Sequence, residues 1–353
     1  MIRRLTIALA LLIVFVAASG AFVVLQNFAS LDEPIALASP VEFEVPRGAS
    51  YGRVALEMEE RGWVDDALWL RVKARFSPEL ADIQAGYYQF QPGMSALDML
   101  RMMAAGHTHT WPVTFPEGWT FHQMRQELAR HEHLSVRLSE LSDEDVMAKL
   151  GREGMHPEGW FFPDTYSYTK GESDLEILRR AYQRMNRVLA EEWAARSQDL
   201  PYDTPYEALI MASIIERETG VVSERREIAG VFVRRLEKGM RLQTDPTVIY
   251  GMGDRYEGRI TRSDLREETP YNTYRIDGLP PTPIAMPGRG AIHAAVNPAD
   301  GDALFFVARG DGTHHFSRTL DEHNQAVRRY QLQRREDYRS FPPVEEQPSP
   351  DNE

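Results

Sequence analysis

The chain has 353 residues, of which 42% are hydrophobic and 26% charged, which is enough apolar material for a sizeable core and excludes wholesale disorder. Its 53 acidic residues outnumber 40 Lys and Arg, and the formal net charge of -13 disfavours general binding to nucleic-acid phosphates. Because cysteine is absent, disulfides, thiolate metal sites, cysteine nucleophiles and a lipoprotein anchor are excluded.

The N-terminus predicts a retained membrane anchor. Arg3 and Arg4 precede an uncharged run from Leu5 to Leu25, and a membrane-spanning helix needs about 20 apolar residues. The two arginines favour a cytoplasmic N-terminus, which places the rest of the chain on the far side of the membrane. The alternative is a signal peptide cut near Ala21, but the apolar part of a signal peptide usually runs about 7–15 residues, and this run continues further.

A short pattern recurs after a predicted juxtamembrane linker at residues 26–40. Each copy consists of a β-rich stretch, a glycine, one spacer residue, a Ser or Thr, and an amphipathic helix. The glycine turns the chain out of the strand, and the hydroxyl caps the helix. Three copies in one order indicate small β-α modules, although any strand-to-helix turn favours the same residues. The glycine and hydroxyl positions are Gly48 and Ser50, Gly93 and Ser95, and Gly118 and Thr120.

Helices dominate the prediction for the second half of the chain. A helical stripe covers residues 174–196, a capping box begins a buried helix at Thr204, and a further helix ends at Gly239. Residues 241–290 form a long segment with little periodicity, and ordered loops of this length are usually functional. The predicted C-terminal elements are a hairpin at 304–317, a charged helix at 320–339 and a disordered tail at 341–353.

The buried helix carries two glutamates in its last turn, where the helix dipole disfavours acids. A wheel at about 100° per residue separates Glu216 from Glu218 by about 200° and places Glu218 among Met211, Ile214 and Ile215. Bulky apolar neighbours desolvate a carboxyl and favour its protonated form, which is the state of a general acid. An alternative is equally open, in which both glutamates lie at the surface or pair with Arg217, Arg225 or Arg226.

Other candidate groups have simpler explanations. Asp245 is a possible second carboxylate, but Asp-Pro also begins turns, and Asp164 has the same ordinary interpretation. His314, His315 and His323 lack the usual spacing with an acid, so we expect them on a hairpin rim and expect no metal. We also expect no cofactor, because no Gly-x-Ser-x-Gly element and no phosphate-binding glycine loop is present.

Several blocks of the sequence resemble the YceG-like family. The resemblance extends in consistent order from the anchor to about Val327 and leaves only the C-terminal tail outside. The blocks are ASIIERET from Ala212 to Thr219, GMRLQTDPTVIYGMG from Gly239 to Gly253, Tyr271–Tyr274 with Gly278–Pro281, and EGWFFPDTY from Glu158 to Tyr166.

The resemblance implies a fold and a reaction. The implied fold is α+β, with the transmembrane helix, a small LysM-like β-α module at 41–110 and a larger mixed α+β catalytic domain at 111–340. Members of the family are endolytic murein transglycosylases, which cleave the bond between N-acetylmuramic acid and N-acetylglucosamine within glycan strands without water. The family's acid is the second glutamate of Ser-Ile-Ile-Glu-x-Glu, which falls on Glu218. One acid suffices because the muramoyl 6-hydroxyl closes a 1,6-anhydro ring.

The expected partners are peptidoglycan glycan strands and membrane-bound peptidoglycan synthases, with the chain held in the inner membrane by one helix and its catalytic domain in the periplasm. Sugar rings offer apolar faces to aromatic side chains and hydroxyls to polar ones. The residues predicted to bind the glycan are Trp160, Phe162, Tyr166, Gln243, Asp245, Tyr271 and Asn272. Two alternatives stay open: a hydrolase in which Asp245 or Glu216 assists Glu218, and a non-catalytic glycan-binding scaffold.

Overall fold

The computed structural model describes residues 2–135 and 137–332 and confirms a mixed α+β fold with an apolar N-terminal helix. The chain divides into two compact units. The first runs to Trp111 and takes in Ser167–Glu172, whereas the second comprises Pro112–Tyr166 and continues from Ser173. The predicted tail at 341–353 and the end of the predicted helix at 320–339 lie outside the described residues.

The N-terminal helix α1 (Ile2–Ser30) extends beyond the predicted end of the anchor at Leu25. Its segment Thr6–Ser30 is long and apolar enough to cross a membrane, with a mean hydropathy of 2.8. The predicted linker at 26–40 is therefore helical at first. It then joins the first unit, because Leu31 is buried in the core and the Ile35 amide donates to the Met94 carbonyl at 2.9 Å.

The first unit is a strand pair covered by helices. Strands β1 (Val41–Val45) and β2 (Gly86–Phe90) pair antiparallel, with Phe43 opposite Tyr88. Alternate side chains of both strands point into the core, as expected for strands with one buried face. The helices of this unit are α2 (Tyr51–Glu60), α3 (Ala67–Phe76) and α4 (Ala96–Ala104).

The recurring glycine–hydroxyl pattern is confirmed as a strand-to-helix turn. Gly48, Gly93 and Gly118 adopt φ values of 78°, 88° and 77°, a left-handed conformation that suits glycine. The hydroxyls of Ser50, Ser95 and Thr120 each accept a backbone N–H in the first turn of α2, α4 and α5 (Phe121–Leu128), respectively.

The second unit is mainly helical. Strands β5 (Phe305–Ala308) and β6 (His314–Ser317) form the predicted hairpin within this unit, whereas the paired strands β3 (Trp111–Thr114) and β4 (Thr165–Tyr168) have residues in both units. The remaining helices are α6 (Asp143–Lys149), α7 (Asp174–Ala194), α8 (Pro205–Glu218), α9 (Arg225–Glu237), α10 (Asp245–Met252), α11 (Arg289–Val296) and α12 (Leu320–Val327), followed by a π-helical turn at Arg328–Leu332.

Helix α8 is the central element of this unit. It begins with the predicted capping box of Thr204 and Glu207, and every residue from Ala208 to Ile215 is buried. Helices α7, α9, α10 and α11 pack around it. The one polar side chain in the buried stretch, Ser213, donates to the Ile210 carbonyl at 2.7 Å and accepts the Ile284 amide at 3.0 Å. The direction of α8 is thus determined by packing on several sides, which makes its last turn a rigid support.

We expect the anchor to be retained in the mature protein, because α1 is uninterrupted past Ala21 and its end is continuous with the core residue Leu31. Intact-mass measurement of protein extracted from the membrane fraction should give the full-length chain. A Leu12→Lys variant serves as the control for insertion, since a charge at the centre of a span costs about 2.5–3.5 kcal/mol. A mature N-terminus near Ala21 in a membrane-free extract would contradict this expectation.

Candidate active site

A cleft of ≈ 580 Å³ lies at the C-terminal end of α8 and contains Glu218. The residues that face it come from separate parts of the second unit. The polar ones include Arg235 of α9, Gln243 and Asp245 at the start of α10, and Tyr274. The apolar wall comes from the hairpin strand β5 and from α12. An acid on a rigid helix therefore faces a space of the size used for ligands.

Burial controls the charge state of Glu218. Desolvation raises the pKa of this carboxyl to about 7; a hydrogen bond from Thr244 opposes the shift, and the negative charge of Asp245 adds to it. A carboxyl that titrates near neutral pH can both donate and accept a proton under physiological conditions. The wheel predicted this desolvated setting, and the structure shows its cause.

The Thr244 hydroxyl donates a hydrogen bond to Glu218 Oε1. Thr244 is itself buried and held by its neighbours: its amide donates to Thr273 Oγ1 at 3.0 Å, and its carbonyl accepts the Thr247 hydroxyl at 2.8 Å. Thr244 therefore holds the orientation of the Glu218 carboxyl through Oε1.

Gln243 has a left-handed backbone with φ 54°, which is uncommon for a residue other than glycine. Arg235 holds this conformation: its guanidinium donates to the Leu242 carbonyl at 2.7 Å and to Gln243 Oε1 at 2.9 Å. Backbone strain of this kind persists only where the surroundings impose it, and it occurs often at functional sites. The turn places the Thr244 hydroxyl against Glu218 and the Gln243 side chain at the cleft.

Asp245 is a second carboxylate in the same cleft. It begins α10, where the helix dipole favours a negative charge, and its Oδ1 accepts the Tyr274 hydroxyl at 2.7 Å. Desolvation, together with the charge of Asp245, raises the pKa of Tyr274, so the phenol stays protonated as a donor. Asp245 is exposed to solvent, whereas Glu218 is partly buried. The two acids therefore occupy unlike environments.

Glu216 lies outside the cleft lining and has a structural role. Its Oε1 pairs with Arg225 at 3.0 Å, and its Oε2 accepts the Gly288 amide at 2.9 Å. Both partners of the ion pair are largely buried, with side-chain exposures of 11% for Arg225 and 5% for Glu216. The pairing with Arg225 that the sequence left open is confirmed for Glu216, which joins the end of α8 to the starts of α9 and α11.

Three of the predicted glycan-binding residues are buried in the scaffold. Trp160 stacks on Tyr206 with ring centroids 5.6 Å apart. The Phe162 amide donates to the Ala181 carbonyl at 3.1 Å, and the Tyr166 hydroxyl donates to the Phe162 carbonyl at 2.7 Å. Trp160, Phe162 and Tyr166 are absent from the described residues that line the Glu218 cleft.

Tyr271 and Asn272 also lie outside the cleft lining as described. The Tyr271 ring packs edge-on to Tyr250 at 4.9 Å, and Asn272 Nδ2 donates to the Asp264 and Glu267 carbonyls at 3.1 and 2.6 Å. These two hydrogen bonds stabilise the loop that carries Thr273 and Tyr274. Of the seven predicted binding residues, the structure brings Gln243 and Asp245 to the acid.

A second buried acid, Glu158, illustrates why a shifted pKa alone does not identify the site. Desolvation raises its pKa to about 8, opposed by hydrogen bonds from the Phe121 amide and the Tyr250 hydroxyl. These donors lie 3.0 and 3.1 Å from its two oxygens. In the described part of the chain, Glu158 does not line the Glu218 cleft. Its carboxyl instead accepts hydrogen bonds that stabilise the surrounding fold.

The sequence prediction missed Thr244, Arg235 and Tyr274. Tyr274 and Thr244 both fall in blocks that carry the family resemblance, which was the available signal. Of the histidines expected on a hairpin rim, His314 is buried and lies 2.8 Å from Glu224, whereas the His323 ring stacks on Phe305. Within residues 2–135 and 137–332, no cluster of three or more His, Asp or Glu side chains is arranged to hold a metal.

The second unit thus places a desolvated carboxyl, that of Glu218, at the end of a buried helix and facing a ligand-sized cleft. The chain belongs to the YceG-like family, whose model matches residues 43–329. It is 30% identical over 320 residues to the endolytic murein transglycosylase of Bacillus subtilis (strain 168), covering 85% of this chain and 88% of that protein.

Two further similarities agree with this membership. The endolytic murein transglycosylase of Streptococcus pneumoniae serotype 2 is 27% identical over 317 residues, which cover 80% of this chain and 57% of that protein. A crystal structure of a yceG-like protein from Listeria monocytogenes superposes with a TM-score of 0.52 at 27% identity and covers 81% of this chain and 98% of that one.

We expect Thr244→Val to raise the pKa of Glu218, because the hydrogen bond from Thr244 stabilises the carboxylate form. Hydrogen bonds to charged groups are worth about 1.5–3 kcal/mol, so the titration should move upward by about one pH unit. Carboxyl-carbon NMR of protein labelled at glutamate measures this, with Glu218→Gln to assign the signal. Thr244→Ser keeps the hydroxyl and is the matched control. An unchanged titration in Thr244→Val would contradict the assignment.

We expect Glu218→Gln to stabilise the protein increasingly as pH rises. The folded pKa of about 7 lies above the ordinary glutamate value of 4.5, so the native state prefers the protonated acid. The free energy of unfolding is therefore highest below about pH 4.5 and falls as pH rises through 7, because the carboxyl must then ionise in its buried position. Glutamine does not ionise, so Glu218→Gln avoids this loss of stability, which is of the order of 1–3 kcal/mol. Melting temperatures at pH 5 and pH 8 test it, with the exposed Glu257→Gln as control; an equal effect at both pH values would count against it.

Proposed function

We propose that this chain is a peptidoglycan lytic transglycosylase that cleaves the bond between N-acetylmuramic acid and N-acetylglucosamine within glycan strands. The observation that carries the proposal is Glu218: a single acid with a pKa raised to about 7, located in a cleft and at the glutamate that the family motif marks. The relatives named endolytic murein transglycosylase, which match most of this chain, support the substrate class.

The proposed reaction uses Glu218 twice. First, the neutral acid donates its proton to the glycosidic oxygen, and the bond from this oxygen to the muramoyl anomeric carbon breaks. Next, the 6-hydroxyl oxygen of the same muramoyl residue bonds to the anomeric carbon, and its proton passes to the Glu218 carboxylate. The product carries a 1,6-anhydro end, and the acid is regenerated. A pKa near neutral suits both transfers, since neither protonation state is strongly favoured.

The exposed carboxylate of Asp245 favours one alternative, a two-carboxylate hydrolase. In such an enzyme a second acid activates water or attacks the sugar directly. Asp245 accepts the Tyr274 hydroxyl at 2.7 Å, and a carboxylate at this position is suited to stabilising positive charge on the sugar ring. We therefore place Asp245 with the glycan-binding residues. The mass of the products separates the two reactions, because only the hydrolase adds water.

We propose a narrower glycan-binding set than the sequence indicated. Gln243 and Asp245 are both exposed and face the cleft, so their polar groups are available to sugar hydroxyls. The β5 residues Phe305 and Phe306 supply an apolar wall of the kind that sugar faces contact. Trp160, Phe162, Tyr166, Tyr271 and Asn272 are assigned to support of this surface.

We propose that residues 41–110 form a LysM-like module and residues 111–340 the catalytic domain. The order strand, helix, helix, strand, with the two strands antiparallel, supports the first assignment. We further propose a single-pass protein with its N-terminus in the cytoplasm and its catalytic domain in the periplasm, tethered in the inner membrane by α1. This tether would hold the enzyme near nascent strands and near membrane-bound peptidoglycan synthases, the proposed partners.

We expect Glu218→Gln to reduce formation of anhydro products by about 10²–10⁴-fold, because the amide keeps the shape of the side chain but cannot donate the proton. Glu216→Gln is the matched control: it changes the same residue type in the same helical turn but outside the cleft, so appreciable activity should remain. Product masses from purified glycan strands and melting temperatures are measured together. A folded Glu218→Gln protein that cleaves at near the wild-type rate would show that Glu218 is not the acid, whereas a wild-type protein that gives no cleavage products would support the scaffold alternative.

A further inference from the structure

Helix α3 exposes an apolar stripe although its opposite face is already buried. Leu68, Val72 and Phe76 follow one another at helical spacing of four, on one side of the helix. Leu68 is 50% exposed and Phe76 is 74% exposed, whereas Ala67 and Leu70 on the opposite side are fully buried. The stripe is therefore not part of the core of the first unit.

Basic side chains border this stripe. On a helical wheel, Arg71 and Arg75 fall on one side of it and Lys73 on the other. The helix ALWLRVKARF contains no acid, in a chain whose formal net charge is -13. An apolar strip with basic flanks is the pattern of helices that lie in the interface of a membrane.

The contacts of α3 place it at the end of the candidate membrane span. The Phe76 ring packs edge-on to Phe28 of α1, with centroids 6.1 Å apart, and Lys73 Nζ lies 4.9 Å from the centre of the Phe28 ring. The continuous apolar run ends at Leu25, where the polar residues Gln26 and Asn27 follow, so Phe28 stands about 4.5 Å further along the helix axis. The headgroup layer on each side of a bilayer is about 5–8 Å deep. Phe28 and its α3 neighbours thus share the depth of the headgroups.

We propose that the outward face of α3, formed by Leu68, Val72 and Phe76 with Arg71, Lys73 and Arg75, binds the anionic phospholipid headgroups of the membrane that α1 spans. The proposal rests on the proposed retention of α1 as an anchor. The stripe enters the boundary between headgroups and acyl chains, and the three cations pair with lipid phosphates. The first unit is then held to the membrane by a second element in addition to the span.

Charge and apolar contact act together in this arrangement. Each Lys or Arg near an anionic leaflet adds attraction that falls off within about 10 Å, which confines the effect to side chains at the surface. Long basic side chains can extend their charges to the phosphates while their stems lie along apolar surface. Because α1 keeps α3 next to the bilayer, α3 binds the lipid surface without first having to encounter it by diffusion.

The absence of cysteine allows a direct test with the full-length chain in lipid nanodiscs. A nitroxide label is attached to a single Leu68→Cys variant, and its accessibility to oxygen and to an aqueous nickel reagent is compared. Leu56→Cys is the matched control: Leu56 is 47% exposed but lies on α2 beside Glu57 and Glu60. Nanodiscs are made with phosphatidylcholine alone and with added phosphatidylglycerol.

We expect the label at position 68 to be reached by oxygen in preference to nickel when phosphatidylglycerol is present, and the label at position 56 to be reached by nickel in both lipids. Changing Arg71→Gln and Arg75→Gln together should move label 68 toward the aqueous reagent, whereas Arg53→Gln on α2 should not. The proposal is overturned if the label at position 68 is reached by nickel in both lipids, or if its accessibility is the same with and without phosphatidylglycerol.

Protection of label 68 from both reagents would also overturn it, because a second protein copy rather than lipid would then cover α3. Failure of anchoring shows separately, as loss of both labelled proteins from the nanodiscs. Cleavage of glycan strands by the same preparations, compared with Glu218→Gln, reports on the proposed enzyme activity independently of label depth.

Discussion

The candidate site depends on one hydrogen bond, from the Thr244 hydroxyl to Glu218. Helix α8 is buried from Ala208 to Ile215, so a carboxyl that packs beside this stretch is largely removed from water. Thr244 donates to one oxygen of that carboxyl, and desolvation raises its pKa to about 7. The result is an acid whose orientation and charge state are both set by its surroundings.

The structure around this bond holds Thr244 in place. The Arg235 guanidinium donates to the Gln243 side chain and stabilises its left-handed backbone, and the Thr273 hydroxyl oxygen accepts the Thr244 amide at 3.0 Å. On the other side of α8, the Glu216 carboxylate in the same helical turn accepts hydrogen bonds from the Arg225 guanidinium and the Gly288 amide. Two glutamates in one turn thus have different surroundings, because Glu216 is paired within the fold and Glu218 faces the cleft.

Sequence reasoning predicted some features of the site and left others undecided, for identifiable reasons. The helical wheel distinguished Glu218 from Glu216 because periodicity reports which neighbours a helical residue has within its own helix. It could not distinguish the aromatic residues of a core from those of a sugar site. Trp160 and Phe162 look alike under both interpretations, since aromatic rings in ordered loops serve either purpose. Their partners in the fold, such as Tyr206 stacked on Trp160, become visible only in the tertiary structure.

The sequence by itself determined the features that depend on near neighbours along the chain: the apolar helix at the N-terminus, the glycine–hydroxyl turns, the capping box of α8 and the family. It also predicted the desolvated setting of Glu218. Only the tertiary structure decided which distant groups meet: Thr244 at Glu218, Tyr274 at Asp245, and Phe76 beside Phe28 at the end of the span. Such contacts join residues far apart in sequence, and they form only when packing of many side chains fixes the position of each element.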